Sequence, residues 1–270
     1  MGAPLVLVGC GKMGGAMLEG WLDQGLSVDE AIIVEPNDDA ARELTERLGV
    51  RVYANADALP DALSPGIVVF AVKPQMADGV VPHYGKFAGP ETVFLSVAAG
   101  KPIDYFRSLL GDGAAVVRSM PNTPAAVRRG MSVACAGPGV SPEQQLQCAG
   151  LLEAVGDVAW VDDESLMDAV TAVSGSGPAY VFYMVECMTK AGVAAGLPEE
   201  TATRLARATV AGAGELVHQT QTPAETLRRN VTSPGGTTAA ALDVLMADDG
   251  LQPLMTKAVG AAKKRSIELA

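Results

Sequence analysis

Residues 5–17 read "LVLVGCGKMGGAM", which sets Gly9, Gly11 and Gly14 in G-x-G-x-x-G spacing. A β-branched run precedes the glycines and a helical pattern follows them. The first glycine permits a sharp turn, and the second lets backbone approach a diphosphate. The third lets the helix pack close to the strand. Lys12 and Met13 complete the turn. A helix beginning here presents N–H groups without intrahelical partners to an anion. The chemistry indicated is binding of a dinucleotide.

A second stretch, "NVTSPGGTTAAALDVL" from Asn230 to Leu245, has no charged residue or histidine between Val231 and Leu242. Pro234, Gly235 and Gly236 are poor residues for a helix interior, so Thr237 and Thr238 fall near the start of the next helix. Its first N–H groups, with the hydroxyls of Ser233, Thr237 and Thr238, form a nest suited to a small carboxylate. An elaborate N-cap is the structural alternative. "AVSGSGPAY" at 172–180 has a similar character and places Ser174 where backbone can come close to a ligand or to another helix.

Strand ends supply the other candidates. Glu35 follows "AIIV", where an acid accepts from the adenosine ribose hydroxyls and repels a 2′-phosphate. Asn37 comes next, and Arg42 lies a turn further on. NADPH and NADH both stay open, with a lean towards NADH. "FAVKPQ" brings Ala71, Val72, Lys73 and Pro74 to the crevice, where Lys73 meets a phosphate, a ribose or the substrate side of the nicotinamide. "SVAAG" adds Ala98, Ala99 and Gly100. "RSMPNTPAAV" adds Met120, Pro121, Asn122 and Thr123.

These residues need a scaffold, and its pattern is legible. Strands are expected at 5–8, 31–34, 67–72, 92–97, 114–119, 131–136 and 157–161. Helices are expected at 12–23, 38–48, 102–110 and 142–154. Nearly continuous apolar strands alternating with helices indicate a covered, largely parallel sheet. Beyond Val161 the β-branched runs thin out, and helices are expected at 164–173, 178–192, 198–217, 237–247 and 250–268. The chain is therefore divided into an α/β, Rossmann-like dinucleotide-binding domain (1–161) and an all-α dimerisation and substrate domain (162–270). The 178–192 helix is apolar around most of its circumference, which suits burial in a homodimer or as a core helix of the monomer.

Composition narrows the partners. Twenty Lys and Arg against 31 Asp and Glu give a net charge of −11, which argues against nucleic acid as the main partner. Two histidines, His83 and His218, exclude a His-rich zinc site. Cys10, Cys135, Cys148 and Cys187 are too scattered for a metal knuckle or redox pair. No apolar run is long enough to span a bilayer. No membrane, no metal and a cytoplasmic location are the expectations.

"GCGKMG", "AVKPQ", "MPNTP", "AVSGSGPAY", "AGLPEETATRLARATVAGAGEL", "VTSPGGTTAAALDVL" and "RSIEL" occur in that order along essentially the whole chain. Together they resemble the motifs of the pyrroline-5-carboxylate reductase family. The resemblance implies reduction of 1-pyrroline-5-carboxylate to L-proline by NADPH or NADH, without a metal. It also implies a helical domain interleaved with its dimer partner, often within a pentamer of dimers. By the same resemblance, Ser233, Gly235, Gly236, Thr237 and Thr238 cradle the substrate carboxylate, with Thr238 near the ring nitrogen. Asn122, Thr123 and Ser174 join the substrate side. Ala98, Met120, Pro121, Asn122 and Thr123 line the cofactor side. Thr238 is the first catalytic candidate and Lys73 the second, although a lysine is ordinarily too basic to be a general acid near neutrality. Glu35 departs from the Ser, Thr, Asn or Arg that many relatives carry near the second strand end. Two alternatives stand beside this reading: a 3-hydroxyacid dehydrogenase using Lys190, which lies 13 residues beyond Gly177, and a non-catalytic nucleotide sensor.

Overall fold

The computed structural model describes residues 3–220 and 222–269. They form two compact units, residues 3–175 with 263–269, and residues 176–262. The strands end by residue 160. The first unit runs on to Gly175 and also takes the final turns of the last helix.

The first unit carries eight strands: β1 (Leu5–Val8), β2 (Ala31–Val34), β3 (Arg51–Tyr53), β4 (Ile67–Phe70), β5 (Val93–Ser96), β6 (Ala115–Met120), β7 (Gly130–Ala136) and β8 (Gly156–Trp160). Their order in the sheet is β3-β2-β1-β4-β5-β6-β7-β8. All neighbours are parallel except β6 and β7. Side chains alternate between faces along each strand. Val6, Val8, Val68, Phe70 and Phe94 enter one apolar layer, and Leu5, Leu7, Val69 and Leu95 enter the other. Burial on both faces is why these strands read as unbroken apolar runs. Phe70 anchors the first layer, stacked on Phe94 and Phe106 at 6.0 and 5.9 Å.

Helices α1 (Lys12–Asp23), α2 (Asp38–Leu48), α3 (Ala77–Val80), α4 (Ile103–Leu110), α5 (Pro142–Glu153) and α6 (Met167–Val170) belong to this unit. Their ends follow local chemistry. Asn37 caps α2 by accepting from the Ala40 N–H, and Gly49 ends it in the left-handed region. Ser141 and Gln144 close a capping box on α5, with Pro142 at its first position. The expected 164–173 helix is broken into a 3₁₀ turn, the short α6 and a π-helical turn at Thr171–Gly175. Sequential strands depart to opposite sides of β1, so β1 and β4 flank the point where strand order reverses. Ligands of such sheets bind at the carboxyl ends of those strands.

The second unit is helical: α7 (Gly177–Ala194), α8 (Glu199–Gln219), α9 (Ala224–Asn230), α10 (Thr237–Leu245) and most of α11 (Leu251–Leu269). A short connection turns α7 back onto α8, and Gly192 brings α7 against Ala202. Among the described residues of this unit, only Ala202 and Ala206 are fully buried. Phe182, Tyr183 and Val244 are 62%, 61% and 71% exposed. Val181, Phe182, Val185 and Val210 line an open groove between α7 and α8, with Glu186 and Arg207 also lining it. No described helix is long and apolar enough to cross a membrane.

Candidate active site

The three glycines of the first turn differ in what surrounds them. Gly9 has φ +86°, and a methyl group there would meet the Ala71 carbonyl oxygen and Val72 Cγ1 at 3.0 Å. A methyl group at Gly14 would collide with the Gly9 carbonyl oxygen. These two glycines let the turn and α1 press against the ends of β1 and β4. Gly11 is the N-cap of α1, and a methyl group there would find nothing within 4 Å. It leaves open space above a helix start that has no side-chain cap and no acid in its first turn. Those are the requirements for a diphosphate at a helix N-terminus. Lys12 is exposed beside it, and Met13 packs on the sheet.

Glu35 turns inward. One carboxylate oxygen accepts the Cys10 N–H at 3.0 Å and the other accepts the Asn37 N–H at 3.1 Å. The acid thus links the end of β2 to the glycine turn. Burial, then the charge of Glu35, raises the Cys10 thiol to about 12, so it stays protonated and unreactive near neutral pH. Asn37 spends its side-chain oxygen on the α2 cap.

A cleft of about 410 Å³ opens beside this turn. Of the residues singled out from the sequence, Gly9, Gly11, Glu35, Ala71, Val72 and Lys73 line it. Lys73 is exposed and precedes the 3₁₀ turn that Pro74 begins. Asn55, Asp57, Val80, His83 and Tyr84 line the same cleft and were missed. They come from the turn after β3, from the last residue of α3 and from the 3₁₀ stretch Val81–Phe87. The available signal was the "NAD" turn at 55–57, where Asn55 accepts from the Asp57 and Ala58 N–H groups.

At the ends of β5 and β6, Ala98 is buried and donates its N–H to Ser96 Oγ, Ala99 is exposed, and Gly100 has φ +74°. Glu164 accepts from the Ile103 N–H and from Arg118, holding the start of α4 against β6. Pro121 is buried, Met120 and Asn122 are half-buried, and Thr123 is exposed. The Asn122 amide is fully used: it donates to the Ser174 carbonyl and hydroxyl at 3.2 Å and accepts the Met131 N–H at 2.9 Å. It therefore braces Ser174 in the π-helical turn, a device common where helices serve a site. Within the second unit, Gly235 has φ +67° and Gly236 is the N-cap of α10, with no side-chain cap. Ser233, Gly235 and Thr237 are exposed and Thr238 is half-buried. No group of three or more His, Cys, Asp or Glu side chains among the described residues could hold a metal ion.

The chain is 40% identical to the pyrroline-5-carboxylate reductase of Pseudomonas aeruginosa, over 98% of this chain and 96% of that one. The chain belongs to the pyrroline-5-carboxylate reductase family. Residues 164–269 match the family model for pyrroline-5-carboxylate reductase dimerisation. Residues 4–100 match a model described as NADP oxidoreductase, coenzyme F420-dependent. A solved pyrroline-5-carboxylate reductase from Coxiella burnetii superposes with a TM-score of 0.93 at 32% identity, covering 99% of this chain and 98% of that one. A pyrroline carboxylate reductase from Plasmodium falciparum, solved with NADP bound, gives 0.81 at 27% identity, with the same coverage. The family thus embraces both the glycine turn and the α10 start, which lie in different units.

Proposed function

We propose that this protein reduces 1-pyrroline-5-carboxylate to L-proline with NAD(P)H. The observation that carries this reading is the length of the family match, which runs through both units and not the dinucleotide fold alone. That extent favours it over a hydroxyacid dehydrogenase or a nucleotide sensor.

The dinucleotide, when bound, supplies a hydride to the C=N carbon of the substrate. Gly11 and the start of α1 hold its diphosphate, and Lys73 flanks it. Ala98, Ala99, Gly100, Met120 and Pro121 hold the nicotinamide half. Ser233, Gly235, Gly236 and Thr237 bind the carboxylate through N–H and hydroxyl groups, without an arginine clamp. Thr238 hydrogen-bonds the ring nitrogen as it becomes an amine. Asn122 acts through Ser174 by bracing it, while Thr123 borders the ring. A protonated imine accepts hydride readily, so the protein's main contribution is alignment.

Both dinucleotides serve, and Glu35 biases the choice towards NADH by opposing a 2′-phosphate. The chain works as a homodimer: the exposed apolar faces of α7 and α8 are suited to a second copy. A pentamer of such dimers is the larger assembly, testable by sedimentation, which separates two chains from ten. Four free thiols fit a reducing, cytoplasmic setting.

The test is loss of absorbance at 340 nm on adding pyrroline-5-carboxylate, with proline measured by amino-acid analysis. One proline per dinucleotide oxidised supports the reading. Dinucleotide binding without turnover would overturn it.

A further inference from the structure

Tyr84 lies in the 3₁₀ stretch Val81–Phe87, its ring edge-on to Phe70 with centroids 5.4 Å apart. It is only 1% exposed, yet it forms part of the cleft lining. Its hydroxyl makes no hydrogen bond to any described residue. Phenylalanine would satisfy the apolar contacts with Phe70 and Phe87 equally well, so packing does not account for the hydroxyl. Burial, then Asp57, raises the hydroxyl's pKa, so it remains a donor at working pH.

Its place in the cleft indicates the ligand. Glu35 follows β2 and Asn55 and Asp57 follow β3, on the side of β1 away from β4. An acid at the end of β2 marks the adenosine half of a dinucleotide site. Val80 and Met76 add an apolar wall suited to a flat base. We propose that the Tyr84 hydroxyl donates a hydrogen bond to a ring nitrogen of adenine, making Tyr84 a base-reading residue of the dinucleotide site. The inference rests on the reductase reading and adds a recognition element outside the glycine turn.

Calorimetric titration of wild type and Tyr84→Phe with NADH and with ADP-ribose, alongside melting curves, tests it. Loss of one neutral hydrogen bond raises both Kd values roughly 3- to 10-fold. The unliganded variant melts at the same temperature, because the hydroxyl removed pairs with no described residue and the ring's apolar contacts are kept. Unchanged Kd values overturn the inference, as does weaker binding accompanied by a lower Tm, which indicates packing alone. Wild-type protein that binds neither ligand overturns the reductase reading itself. Wild-type binding with an indifferent Tyr84→Phe overturns only the role of Tyr84.

Discussion

Replacing Glu35 by glutamine is expected to shift the balance between the two dinucleotides. The carboxylate is held by the Cys10 and Asn37 N–H groups at 3.0 and 3.1 Å, so it cannot swing away without leaving both donors unmatched. A 2′-phosphate on the adjacent ribose brings about 1.5 to 2 negative charges. At roughly 5 Å in a water-like dielectric, each charge pair is opposed by about 0.8 kcal/mol. The total of about 1.4 kcal/mol corresponds to roughly tenfold in kcat/KM. Glu35→Gln removes the charge but keeps one acceptor oxygen. One backbone donor loses its partner, which weakens both dinucleotides, so the NADPH to NADH ratio of kcat/KM is the proper readout. That ratio should rise about tenfold. The wild-type bias should also shrink as salt rises from about 0.05 to 0.5 M, because screening shortens the reach of the charge. A ratio that changes less than twofold, or a salt-independent bias, would refute the electrostatic reasoning.

Gly11→Val and Gly14→Ala should separate binding from folding. The first fills space left open for the diphosphate and should abolish NADH binding in calorimetry with little loss of Tm. The second forces α1 away from the Gly9 carbonyl and should cost about 1–3 kcal/mol in denaturant unfolding. Thr238→Val should lower kcat roughly 100-fold in steady-state assays, with a smaller change in the KM for NADH, if its hydroxyl serves the ring nitrogen. Phe182→Glu places a charge on the exposed face of α7 and should yield monomers by light scattering.

Much of the fold was legible because burial on both faces gives the strands an unambiguous apolar signature. β3 was not: its three residues begin with exposed Arg51, and Val52 and Tyr53 are only half-buried. The seven-residue α9 escaped notice for a related reason, since "AETLRRN" has too few apolar positions to show a period. The 164–173 segment reads as one helix because 3₁₀, α and π turns share nearly the same residue preferences. The glycine turn was readable because each glycine answers a distinct steric demand. Tyr84 and His83 were not, since they lie in a 3₁₀ stretch without periodicity and reach the cleft only through the tertiary fold. Asn122 is expected at the site from the sequence, but its bracing of Ser174 depends on a contact between positions 52 residues apart.

The most direct test is a reaction with NADH deuterated at both C4 positions, followed by mass and NMR analysis of the product. The expected product is proline carrying one deuterium on the ring carbon next to nitrogen that lacks the carboxylate. Deuterium at the carboxylate-bearing carbon, its loss to solvent, or the absence of proline would contradict hydride delivery to the C=N carbon.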